Sequence, residues 1–381
     1  MEFGKVSTEQ RLFRVQRRPW KVVLVSSWHS RLKNFLLGLL FVVVLSGCTS
    51  GSTRTRLATT TIPSPRLGEP SLQQTQLKGP ESLPGPLTNS VSTWLAFSRW
   101  CVENGLGTPA ILSSRPLRLA TLTGLGEVVV EGGKPYMLLG GTAVFLAYPP
   151  RVVNSELLLN GLDLEKKLRP LACSRQNPQP IRTVVIDPGH GGRNHGATNV
   201  WDGSLEKDLT LDWAYRLAEL LVMRGYRVFL TRTNDQDLSI AARVGYANSI
   251  HADLFISLHF NSVIPDQGQA GIETYCLTPQ GLPSTLNRAF EDPMDSAYPN
   301  NAFDEWNLFW AFRIHRSLVT ATGAPDRGVR YTRFMAVLRG QRCPAVLVEG
   351  GYLSNPTEAR KISNPAYRQR LAAAIADAIN Q

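Results

Sequence analysis

The sequence predicts an α/β fold: a mostly parallel, twisted sheet flanked by helices, preceded by a small β-rich domain. Three observations lead there. Over residues 181–381, apolar runs of strand length alternate with segments whose apolar residues recur at helical spacing. Over 90–175, short apolar runs are punctuated by Gly132-Gly133, Gly140-Gly141 and Pro149-Pro150, a pattern of hairpins. Over 48–89, Ser, Thr, Pro, Gly and Gln dominate and neither period is present. At roughly 150 residues per domain, 381 residues suit two or three units.

The first 47 residues read as a targeting segment. Basic residues up to Arg31 and Lys33 precede an apolar stretch over 35–45, shorter than the ~20 residues a membrane span needs. The stretch ends in Leu45-Ser46-Gly47-Cys48, which resembles a bacterial lipobox and makes Cys48 a candidate lipidation site; an ordinary signal peptide with a chance cysteine is the alternative. Two acyl chains on Cys48 would anchor the body outside the cytoplasm. Thr49 in place of Asp resembles lipoproteins sent to an outer membrane, facing the periplasm. Residues 48–89 then form a solvated tether with a reach on the order of 100 Å at ~3.3 Å per residue.

Residues 1–47 carry a net charge of +6, leaving +5 of the formal +11 for everything else. No basic run lies on a predicted helix face, so nucleic-acid binding is not supported. Cys101, Cys173, Cys276 and Cys343 lack zinc-site spacing and read as small apolar residues.

In the 90–175 unit, Trp94, Phe97 and Trp100 are expected on one side of a short helix, followed by strands over 127–130, 136–139, 144–148 and 156–159. In the 181–381 unit, strands are expected over 183–186, 226–231, 254–259, 271–277 and 345–349. Helices are expected over 205–224, 239–250, 303–322 and 364–379.

The chemistry-bearing residues sit where those elements begin or end. His190 lies in Asp187-Pro188-Gly189-His190-Gly191-Gly192, directly after a strand. Glu206 falls in the first turn of the next helix, where the helix dipole favours the ionised carboxylate. His259 ends its strand within Ser257-Leu258-His259-Phe260-Asn261, and Glu349 ends another beside Gly350-Gly351. Open α/β sheets bind ligands at the carboxyl ends of their strands. Two His and one Glu form a catalytic zinc set, and a further Glu can serve as base. Singly, each is more simply a polar strand end, a first-turn acid or a salt-bridge partner; together they predict a metallohydrolase.

These segments resemble the zinc-dependent N-acetylmuramoyl-L-alanine amidases of the type-3 group across essentially all of 181–381. Leu238-Ser239-Ile240-Ala241-Ala242-Arg243, Arg327-Gly328-Val329-Arg330 and Pro344-Ala345-Val346-Leu347-Val348-Glu349 share in the likeness. The resemblance implies Zn²⁺ on His190, Glu206 and His259, Glu349 as the catalytic glutamate, and Asn261 and Arg339 as candidate substrate contacts. It also implies a peptidoglycan substrate, cleaved between N-acetylmuramic acid and L-alanine, and leaves room for a protein activator. Residues 134–171 look like a small wall-associated domain, with a spacer or packing module as the plainer reading. His195 stands where the family commonly has Pro and reads as a wall residue of the site. Phe260 replaces a small residue and is expected to narrow the pocket, and His251 and His315 read as surface or packing residues. In some relatives an inserted helix places a carboxylate on the zinc; Glu291 or Asp292, in the insertion over 278–302, is a candidate for that autoinhibitory role, against a loop that meets stem peptide or solvent. A zinc peptidase acting on stem peptides and a non-catalytic wall-binding lipoprotein are the competing functions.

Overall fold

The computed structural model describes residues 93–173, 180–286 and 292–380; the expected signal segment, Cys48, the tether and Glu291 lie outside these. The described residues belong to one compact unit, Glu81–Gln381.

The chain enters through β1 (Trp94–Ala96) and α1 (Phe97–Glu103). Phe97 and Trp100 are helical and buried as expected, but Trp94 pairs with Asn160 in a strand instead of extending the helix. Five strands then form an antiparallel meander: β2 (Ala110–Ser114), β3 (Leu117–Thr123), β4 (Gly126–Glu131), β5 (Tyr136–Leu139) and β6 (Thr142–Phe145). β7 (Arg151–Val153) and β8 (Glu156–Asn160) join β1 in a separate three-stranded sheet. A helical run follows: α2 (Gly161–Asp163), a π-helical turn over Leu164–Leu168 and α3 (Arg169–Ala172).

The second half alternates as its periodicity requires. In order come β9 (Thr183–Pro188), α4 (Glu206–Met223), β10 (Arg227–Leu230), α5 (Ile240–Ser249), β11 (Leu254–Asn261) and β12 (Ile272–Cys276). Then come α6 (Asp304–Thr322), β13 (Asp326–Tyr331), α7 (Ala336–Arg339), β14 (Ala345–Tyr352), α8 (Pro356–Ser363) and α9 (Pro365–Ile379). Strands β10-β9-β11-β14 run parallel, and β12 turns antiparallel against β14. The alternating strand residues divide between two faces. Val184, Ile186 and Ile256 pack with Trp213 of α4, Phe312 of α6 and Ile375 of α9. Val185, Phe255 and Leu347 pack with Ala247 of α5 and Val337 and Leu338 of α7.

The sheet does not stop at the catalytic half. β13 pairs in parallel with β6, so the order continues β13-β6-β5-β4-β3-β2 and eleven strands form one sheet. Charged groups cross this seam. Asp326 Oδ2 accepts a hydrogen bond from Ala143 N at 2.9 Å. Lys167 and Asp163, both buried, meet at 3.0 Å, with the ammonium 4.2 Å from the Tyr331 ring. Burial holds the Lys167 ammonium below its usual range even with Asp163 opposing that shift. Asp163 also accepts from Ala147 N and Tyr148 N at 2.8 and 2.9 Å. Among the described residues, no helix is long and apolar enough to cross a membrane.

Candidate metal centre

The centre stands at the carboxyl edge of β9, β11 and β14. His190 follows β9 in the left-handed conformation, φ 62°, which is unfavourable for a residue bearing a Cβ. Two buried arginines hold that turn. Arg243 of α5 donates to Asp187 Oδ1 at 2.7 Å, Pro188 O at 2.8 Å and His190 O at 2.6 Å. Arg232, just past β10, donates to Pro188 O at 3.0 Å, Gly189 O at 2.8 Å and Lys207 O at 2.7 Å. Asp187 is itself buried and also accepts from Thr231 Oγ1 at 2.5 Å and Ser257 Oγ at 2.8 Å. Two neighbouring glycines are sterically required. A Cβ on Gly189 would sit 2.3 Å from the His259 ring, and one on Gly196 would sit 2.5 Å from Glu206 Oε2.

Glu206 opens α4 and is buried. Its Oε1 lies 3.0 Å from His190 Nε2 and 3.0 Å from His259 Nδ1. Phe260 N donates to Oε1 at 3.1 Å and Ala197 N to Oε2 at 2.8 Å. Burial alone would favour the neutral acid, but the two imidazoles outweigh it and hold the carboxyl far below its ordinary range. His190 shifts upward: burial opposes its protonation, and the hydrogen bond and charge of Glu206 prevail. His190 Nδ1 lies 2.8 Å from Asn194 Oδ1, which can only accept. That keeps a proton on Nδ1 and leaves Nε2 facing Glu206, where a metal would take the place of the proton the two share.

One donor atom from each of His190, Glu206 and His259 lies within 4.8 Å of the others. Two imidazole nitrogens and an ionised carboxylate oxygen converging this closely suit a divalent transition metal. Glu349 faces the cluster: His259 and Glu349 are direct partners in the β11–β14 register, which puts their side chains on one face. All four line a cleft of 450 Å³ with Asn261, Arg243 and the segment Phe334 to Val337.

Behind Glu349, its β12 partner Glu273 is buried. Glu273 accepts from Arg327 Nε at 2.6 Å, Tyr352 Oη at 3.1 Å, Asn261 Nδ2 at 3.2 Å and the Tyr275 hydroxyl. Burial works against its charge, yet Tyr275, Arg327 and Arg330 keep the carboxyl below its normal range.

The other expected residues fall elsewhere. Arg339 donates to Arg333 O and lies 5.1 Å from the Tyr298 ring, away from the cleft lining. Asp292 is committed to Arg333 at 2.7 Å and to Ser284 N at 2.5 Å, so its carboxylate pins its own loop. His195 is exposed and does not line the cleft. The Phe260 ring turns into the core, 5.2 Å from Trp213, leaving its N–H for Glu206. His315 is buried between Thr274 and Asp326, while His251 is exposed in a turn. Cys101, Cys276 and Cys343 are buried, Cys173 half-buried, and none is disulfide-bonded. Sequence reading missed Arg232 and the Phe334–Val337 wall; an arginine directly after a strand adjoining Asp187 was the available signal for the first.

A His/Glu/His cluster facing a second glutamate at the carboxyl edge of an α/β sheet has the make-up of a metal-assisted hydrolase. Residues 184–381 match the model of the N-acetylmuramoyl-L-alanine amidase family Amidase_3, and the chain belongs to that family of hydrolases. It is 32% identical over 200 residues to the sporulation-specific N-acetylmuramoyl-L-alanine amidase of Bacillus subtilis, covering 52% of this chain and 67% of that one. It is 34% identical over 207 residues to the amidase LytC of the same organism, covering 54% of this chain and only 36% of that one. Among solved structures, the catalytic domain of CwlV from Bacillus (Paenibacillus) polymyxa var. colistinus is 32% identical, with a TM-score of 0.43 over 52% of this chain and 96% of that one.

Proposed function

We propose that this protein hydrolyses the amide bond between N-acetylmuramic acid and L-alanine in peptidoglycan. The observation that carries the reading is the convergence of His190, Glu206 and His259 opposite Glu349, within a chain of the amidase family. His190 Nε2, His259 Nδ1 and Glu206 would hold one zinc ion, which when bound supplies Lewis acidity and lowers the pKa of coordinated water to ~7. Glu349 serves as general base toward the attacking water and returns the proton to the leaving alanine nitrogen. Asn261, which lines the cleft and donates to Glu273, would orient the substrate at the cleft wall.

In this reading residues 181–381 are the catalytic region, 90–175 an accessory region, 48–89 a tether and 1–47 a lipoprotein signal cleaved before Cys48. The enzyme then works outside the cytoplasm in the cell envelope, where its substrate lies, with the anchor in the outer membrane. Digestion of peptidoglycan, followed by mass analysis, tests the reaction. Free stem peptides with intact muramic acid are expected, abolished by a chelator and restored by Zn²⁺. Trimmed stems still attached to glycan would point to a peptidase, and chelator-resistant cleavage would refute the metal.

A further inference from the structure

We propose that Trp201 is a glycan-stacking subsite beside the cleft, an inference that rests on the amidase reading above. Trp201 lies in the turn that connects the His190 motif to the Glu206 helix. The root of this turn is in the metal centre, where Ala197 N donates to Glu206 Oε2, and Thr198 bridges to Leu205. Val200 N donates to Leu353 O at 3.1 Å, and Leu353 N to the O of Asn261, a cleft residue, at 2.8 Å. Two successive backbone hydrogen bonds therefore tie the turn to the cleft wall.

The turn is also fastened from below. The buried Asn199 donates to Ala359 O and Ser363 Oγ, both at 3.0 Å, and accepts from Trp201 N at 2.8 Å. On this rigid footing the Trp201 side chain is 54% exposed, next to Val200 at 42%. The Arg360 guanidinium lies 5.0 Å from the indole ring. A large aromatic held in water by an ordered turn is pre-organised for a flat apolar ligand, since little conformational freedom remains to be lost.

The substrate of the proposed reaction offers two such partners, a sugar ring and a peptide. The turn favours the sugar. Its N–H groups at 199, 200, 201, 203 and 204 are already bonded within the protein, so it has few donors left for a peptide backbone. What remains is the indole ring, whose face opposite the Arg360 guanidinium fits the C–H face of a pyranose.

Trp201→Ala and Trp201→Phe test this. Alanine should raise KM for long glycan strands roughly three- to tenfold at constant kcat. It should leave KM for a single disaccharide-peptide unchanged, and phenylalanine should retain most of the affinity. Peptide-free glycan strands should compete with the wild type and compete less with the alanine variant. An unchanged KM for polymer, or loss of competition by free stem peptides instead of by glycan, would overturn the subsite. Absence of released stem peptide from the wild type on both substrates would refute the amidase reading alone. Quenching of intrinsic fluorescence by peptide-free glycan, compared between wild type and Trp201→Ala, then still decides the subsite.

Discussion

Two regions of the one eleven-stranded sheet concentrate charge, and they use it differently. At the carboxyl edge of β9, β11 and β14, His190, Glu206, His259 and Glu349 converge on an open cleft. At the β6–β13 seam, Asp163 and Lys167 pair with each other, and Asp326 is met by His315 and by the N–H of Ala143. Charge taken out of water must be compensated locally. The seam meets that requirement within the protein, whereas the edge is arranged so that an ion and a substrate can complete it. Edge residues should therefore govern rate without much effect on stability, and seam residues the reverse.

The largest effect is expected at the edge. Glu349→Gln removes the proposed base but retains the shape, so hydrolysis should fall ~10²–10⁴-fold. Metal content, read by atomic spectroscopy, and the thermal midpoint should stay near wild type. Normal turnover would strip Glu349 of its role; a collapse in stability would erase the distinction between the two regions.

The seam supplies the converse. Asp163→Ala leaves the Lys167 ammonium buried without its carboxylate, a change that costs ~3–5 kcal/mol. It also frees the N–H groups of Ala147 and Tyr148. Urea unfolding should show that loss while the folded fraction keeps its kcat. A change under ~1 kcal/mol would mean that solvent reaches Lys167 and that the seam is looser than its geometry.

The two regions also differed in how well the sequence foretold them. The edge was legible because its residues stand in short motifs at element ends, where position alone implies exposure to a ligand. The strands carrying them were legible as continuous apolar runs. The seam was hidden. β13 reads Asp326-Arg327-Gly328-Val329-Arg330-Tyr331, and its charges break the apolar run that marks a buried strand. Those charges are tolerated because Asp326 meets His315 and Ala143 N, and Arg327 meets Glu273, contacts made across 11, 183 and 54 positions of sequence. Arg232 was hidden for the same reason: its partners are backbone carbonyls 25 to 44 positions away, the Thr210 hydroxyl and Asn234 O through a turn, which no periodicity encodes. Asp292 reads from sequence as available for the metal because its loop is long and acidic, yet Arg333, 41 positions away, holds it.

The smallest effect sharpens the comparison, because it concerns a charge that neither region fully compensates. Asp304 begins α6, where the helix dipole and Asn301 Nδ2 at 2.9 Å favour its carboxylate. Burial nevertheless dominates and raises its carboxyl to about 7, with Asn301, Lys166 and Arg333 offsetting only part. The folded state thus keeps a proton that the unfolded chain releases near its ordinary 3.8. Below that pH both states are protonated and no penalty exists. As pH rises toward about 7 the unfolded chain gains from ionising and the folded one does not, so stability falls across that window. Asp304→Asn removes the titration. Its stability relative to wild type should be unaffected by pH below ~4 and rise by at most ~4 kcal/mol by pH 8, a shift readable in thermal midpoints across the range. A difference that stays flat with pH would mean that Asp304 ionises freely, and that Lys166 and Arg333 compensate it as completely as Lys167 does Asp163.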